Sequence, residues 1–134
     1  MKRNEAMDVY KGRLEKFKNT QSIQWKMNLS IWTLLVLAIY YSDNIKLDAC
    51  FLFAFLLAIC VIHFWYCILT QKSLNSDKAI NDDIINQLNK TQDDNQSIIV
   101  TYNKGSGRLN LNWVILQGAI TVILAIVLYL LCMN

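Results

Sequence analysis

Two runs without a charged side chain, 49–69 and 109–134, constrain this chain more than any other feature. About 20 predominantly apolar residues in an α-helix cross the ~30 Å hydrocarbon core of a bilayer. Charged residues make up only 17% of the 134 residues. About a quarter is usual for a soluble domain, so the two runs point to a membrane protein.

A third apolar stretch precedes them. "WKMNLSIWTLLVLAIYY", residues 25–41, is barely long enough to span, but its ends fit the two interfaces of a membrane. Trp25 and Lys26 suit one interface, and Tyr40 with Tyr41 suit the other. The second span is expected over 49–70 and the third over 113–133. If the chain alternates across the bilayer, Trp25, Trp65 and Trp113 all fall toward the same side.

Lysine and arginine placement orients the spans. The segment 1–26 holds seven, the "SDNIKLD" turn holds one (Lys46), and 71–112 holds five. The positive-inside rule therefore puts the N-terminus and 71–112 in the cytosol and the C-terminus outside a cytoplasmic (inner) membrane. No A-x-A-like site follows the first apolar run, which is expected to be retained as an anchor. The basic residues have no dense stripe or recognition motif, so lipid headgroups are the expected partners and specific nucleic acid is not.

The polar segments carry helical patterns of their own. Met7, Tyr10, Leu14 and Phe17 recur at helical spacing, which predicts an amphipathic helix over 1–24. That helix either lies on the membrane or continues into the first span. In 71–112, Ser76 precedes Ile80, Ile84 and Leu88, predicting a short capped helix. "SIIVTYNKGSGRLNLN" then predicts a small β-hairpin. The fold class expected is an all-α integral membrane protein: three transmembrane helices with a small cytosolic cap, helical or α+β. Its parts are 1–24, the hairpin of spans 25–70, the cytosolic segment 71–112, and the third span 113–134.

Polar groups inside the spans are the candidate site. Cys60, His63 and Cys67 share one face of the second span. Cysteine and histidine are good zinc and copper ligands, but a structural zinc site takes four and the chain has one histidine. The expectation is a neutral His63 hydrogen-bonded across helices, with Gln117, Thr121 and Asn28 as candidate partners and no metal or cofactor. A proton-sensitive gate is the competing reading, because unperturbed histidine titrates near neutrality. Cys50, Ala54 and Ala58 form a small-residue face suited to close helix contact, and Gln117, Gly118 and Thr121 give the third span a polar face. The four cysteines lie in or beside apolar runs and are expected to be free thiols. Lys104 and Arg108, flanking two glycines, are candidates for contact with an anion or lipid headgroup.

No catalytic or nucleotide-binding motif is present, so the chain is not expected to be an enzyme. In general plan it is similar to small bacterial inner-membrane proteins, some of which act on membranes in defence or stress systems. That resemblance implies an effector or sensor, and the polar and small-residue helix faces with the structured cytosolic segment point to a non-catalytic homo-oligomer, a membrane-perturbing effector or channel-like component. The alternative is an accessory or scaffold subunit that binds a protein partner through 1–24 and 71–112. A small membrane enzyme fits least.

Overall fold

The computed structural model describes residues 3–90 and 111–133. They form three α-helices: α1 (Arg3–Tyr40), α2 (Ala49–Lys90) and α3 (Leu111–Met133), with a single 3-10 turn (Ser42–Asn44) between the first two. Each helix contains a window long and apolar enough to cross a membrane. The class is therefore all-helical among the described residues. The α+β cap is not supported, and the expected hairpin falls almost wholly outside the described residues.

One open alternative is decided, and one expected break does not occur. The amphipathic N-terminal segment and the first span are one helix, α1. The short helix expected from Ser76 is the far part of α2, so Ser76 lies inside a helix and caps nothing. The chain has no proline, and neither glycine nor proline interrupts 49–90. Serine and asparagine cost a helix only about half a kcal/mol each, too little to stop one that gains packing along its length. The true start of α2 is marked by Asp48. Its Oδ2 accepts from the backbone N–H groups of Cys50 (3.1 Å) and Phe51 (3.4 Å), satisfying two donors that the helix leaves unpaired.

The chain divides into two compact units. One comprises Met1–Ile23 and Thr70–Leu109. Its apolar core is Ala6, Ile80, Ile84 and Leu88, with Val9 and Tyr10 packed against it. Ala6 is buried where Met7 is exposed, whereas Tyr10, Leu14 and Phe17 of the expected stripe are half-buried. Arg13 reaches Asp77 at 3.5 Å and Lys16 reaches it at 3.9 Å.

The other unit comprises Gln24–Leu69 and Asn110–Asn134. Leu35, Leu52, Leu56, Ala125 and Leu128 form its apolar core. Its outward faces are also apolar: Leu34 is 66% exposed, Ile62 69% and Ile123 60%. A contiguous apolar exterior of this kind is a liability in water and the normal condition in lipid.

Candidate functional site

Asparagine, glutamine, histidine and threonine in a lipid-facing unit must find partners or leave costly unpaired groups in an apolar medium. Here they find each other. Gln24, Asn28 and Trp32 recur every fourth residue on α1, so they share one face of that helix. His63 and Cys67 do the same on α2, as do Gln117 and Thr121 on α3. The faces meet inside the second unit, where Asn28 is 0% exposed and His63 and Thr121 are each 1% exposed.

The contacts run in order. Trp32 Nε1 donates to Thr121 Oγ1 at 3.0 Å. Thr121 Oγ1 lies 2.8 Å from His63 Nδ1, and His63 Nε2 lies 2.8 Å from Asn28 Oδ1. An amide oxygen only accepts, so the ring proton sits on Nε2 and points at Asn28. Nδ1 is then a lone pair, and the Thr121 hydroxyl donates to it. The chain therefore has one polarity: indole N–H to hydroxyl, hydroxyl to imidazole, imidazole to amide. Cys67 Sγ adds a weak donor to the same Asn28 oxygen at 3.9 Å and lies 3.6 Å from His63 Nε2. One turn away, Gln24 Nε2 donates to Gln117 Oε1 at 3.1 Å. The network joins all three helices and contains no carboxylate, lysine or arginine.

Its depth follows from α3. Thr121 is ten residues from Leu111 and twelve from Met133. At 1.5 Å per residue these are about 15 and 18 Å, which puts the His63–Thr121 contact near the middle of the helix. Trp25 and Trp113 meet edge to face, ring centres 5.7 Å apart, two helical turns toward the start of α3. An aromatic pair there suits a headgroup boundary.

Both ring nitrogens of His63 are committed. A metal ion at Nε2 would have to displace Asn28, and among the described residues no three His, Cys, Asp or Glu side chains gather where they could hold one. Cys60 does not join His63. It packs against the apolar core and borders a small groove with Phe53, Val122 and Tyr129. No described cysteine is disulfide-bonded.

The small-residue face of α2 resolves differently within this chain. Ala54 and Ala58 are exposed, so within this chain they form no close contact. The close approach is at Gly118 instead, where a Cβ would stand 2.9 Å from Phe64 Cδ2. Lys104 and Arg108 lie outside the described residues. Gln24 and Trp32 are the network members not anticipated. Their four-residue spacing about Asn28 was the available signal.

The network has a remainder. The amide nitrogens Asn28 Nδ2 and Gln117 Nε2 are buried without a hydrogen-bond partner among the described residues. No protein-family model matches this chain, and no curated protein or solved structure matches it either.

Proposed function

We propose that this chain is a non-catalytic accessory subunit: a three-helix membrane platform whose charged helical unit, built from 3–23 and 70–90, docks a protein partner. One observation carries the reading. Gln24, Asn28, His63, Gln117 and Thr121 turn inward and hydrogen-bond within the unit. The faces left for lipid or for other membrane proteins are therefore mostly apolar, with the hydroxyls of Ser30 and Thr33 exposed within the first span and Ser30 bonded to its own backbone. A pore wall built from several copies would need polar groups on those outer faces. The multi-copy pore and membrane-perturbing readings are less well supported for that reason.

The charged unit supplies the docking chemistry. Lys11, Lys16 and Lys18 are exposed on α1, and Asp82 is exposed on α2. Exposed charges of both signs favour a partner with complementary polarity and steer its approach. In a bacterial inner membrane this unit would face the cytosol by the positive-inside rule, with the C-terminus outside.

The test is to express the full chain and measure two things: membrane potential or dye leak, and the composition and mass of the gently extracted complex. The accessory reading expects an intact permeability barrier and a second protein that is lost when Lys11, Lys16 and Lys18 are reversed to glutamate. Leak on expression, with a complex containing only this chain, overturns it in favour of the effector.

A further inference from the structure

Two amide nitrogens, Asn28 Nδ2 and Gln117 Nε2, are buried with no hydrogen-bond partner among the described residues, and both side chains are fully enclosed. An amide nitrogen only donates, so the network has donors to spare and needs an acceptor. A donor left unpaired in an apolar medium is costly. The two nitrogens belong to neighbouring layers of the network. In one layer Gln24 donates to Gln117 at 3.1 Å. In the next, His63 joins Asn28 to Thr121 through two contacts of 2.8 Å. Gln24 and Asn28 are one turn apart on α1, as Gln117 and Thr121 are on α3, so the layers are spaced by about 6 Å. One oxygen accepting two N–H bonds of about 2.9 Å each spans that gap.

We propose that one water molecule is bound between these layers, accepting from Asn28 Nδ2 and Gln117 Nε2, and that it sets the direction of the whole network. Three features select water among acceptors. First, the network contains no lysine or arginine, so an anion would be buried without a counter-charge, which costs far more than enclosing a neutral molecule. Second, water brings two protons of its own, and Gln24 Oε1 and Cys67 Sγ in the same layers are acceptors for them. A buried water typically makes about three hydrogen bonds, and this one has that many on offer. Third, supply is close. Gln117 lies four residues, about 6 Å, from Trp113, whose ring meets Trp25 where a headgroup boundary fits.

The consequence reaches His63. Held by the water, the Asn28 amide keeps Oδ1 toward the ring, so the ring proton stays on Nε2. The alternative is the amide turned over. Nδ2 would then donate to His63 Nε2, the ring proton would sit on Nδ1 and point at Thr121, and the Thr121 hydroxyl would turn to the Gln117 carbonyl 3.3 Å away. That dry arrangement deprives Cys67 of its acceptor, Asn28 Oδ1. It also leaves Asn28 Oδ1 to be paired only by drawing Gln117 Nε2 across the gap between the layers.

NMR of the isotope-labelled full chain in lipid nanodiscs tests this, and the single histidine makes the ring signals unambiguous. The ring nitrogen shifts should show a protonated Nε2 and a bare Nδ1. Magnetisation transfer from water should reach the side-chain amide protons of both Asn28 and Gln117. A soluble paramagnetic chelate should broaden the exposed Asn44 side chain and leave those two sharp, which makes the water they touch an enclosed one. Gln117→Met keeps the length and removes the amide. It should abolish the water transfer at Asn28 and move the ring proton toward Nδ1. If that variant does not fold, the three readings on the unaltered chain decide alone. A ring proton on Nδ1 in the unaltered chain overturns the proposal in favour of the dry arrangement. Absence of water transfer to either amide overturns it as well. So does broadening of Asn28 and Gln117 along with Asn44, which means layers open to solvent. Amide shifts that saturate with added chloride put an anion in the site instead. A folded Gln117→Met chain that keeps both the water contact at Asn28 and the proton on Nε2 also defeats it.

Discussion

The hydroxyl of Thr121 stands 2.8 Å from Nδ1 of His63 and 3.0 Å from the indole nitrogen of Trp32, so one small side chain on α3 joins α2 to α1. It acts as acceptor to one neighbour and donor to the other. No apolar residue can take both roles, and this sets the network apart from ordinary apolar helix contact.

Thr121→Val keeps the shape and removes the hydroxyl. It leaves the Trp32 N–H and the His63 lone pair unpaired, and should cost about 1–2 kcal/mol of stability. Thr121→Ser should retain most of it. Unfolding in mixed micelles measures both. Equal stability of the Val and Ser variants would remove the hydroxyl from any structural role.

His63 tests the other half of the network. His63→Leu fills much of the space, whereas His63→Ala also leaves a cavity and should destabilise more. Combining His63→Leu with Asn28→Leu should cost less than the two changes added, because each alone strands its partner. A coupling of about 0.6 kcal/mol is the average for interhelical hydrogen bonds in membranes, with a maximum of about 1.7 kcal/mol. Strict additivity would mean the 2.8 Å contact carries no net energy.

Apolar length and flanking aromatics made the three spans legible in the sequence, because lipid imposes a minimum length that few other environments do. Polar composition at 71–76 reads as a break before a short capped helix, yet it is helix throughout, since Leu74 and Asp77 bury on the inner face and nothing there breaks a helix. His63, Asn28, Gln117 and Thr121 stand out individually as polar residues in apolar runs. Gln24 does not, because it sits where an interface residue is ordinary, and Trp32 does not, because its large ring reads as one more apolar residue of the span. Which small residue marks close packing depends on how the third helix is rotated, and the pattern of α2 alone does not contain that. Hence the contrast between the exposed pair Ala54 and Ala58 and the tight contact at Gly118.

Gly118 makes this contrast measurable. A methyl group there would meet the Phe64 ring at 2.9 Å, closer than carbon atoms tolerate. Gly118→Leu should destabilise the fold by about 1–3 kcal/mol, the usual cost of overpacking. Phe64→Ala in the same chain should recover part of it. Ala54→Leu and Ala58→Leu should leave the unfolding transition of the isolated chain unchanged. If they lower it as far as Gly118→Leu does, α2 presents a different face to α3.

In the charged unit, Asp77 is 6% exposed and faces both Arg13 and Lys16. The two cations are not equivalent. The Arg13 side chain is 21% exposed, against 66% for Lys16, and Arg13 is also the nearer to Asp77. Water screens the lysine far more, so its contribution should be near zero, as for most exposed pairs. Losing Arg13 instead leaves a buried carboxylate short of its main counter-charge, which costs more than the pair itself is worth. Arg13→Ala should therefore weaken the packing of α1 on Ile80 and Ile84 by about 1–3 kcal/mol, and Lys16→Ala should be nearly silent. Asp77→Leu should restore much of the loss in Arg13→Ala by removing the stranded charge. Hydrogen exchange at the amides of 6–16 and 77–88 reads these changes locally. The assignment fails if Lys16→Ala opens the unit as much as Arg13→Ala, or if Asp77→Leu makes the arginine variant worse.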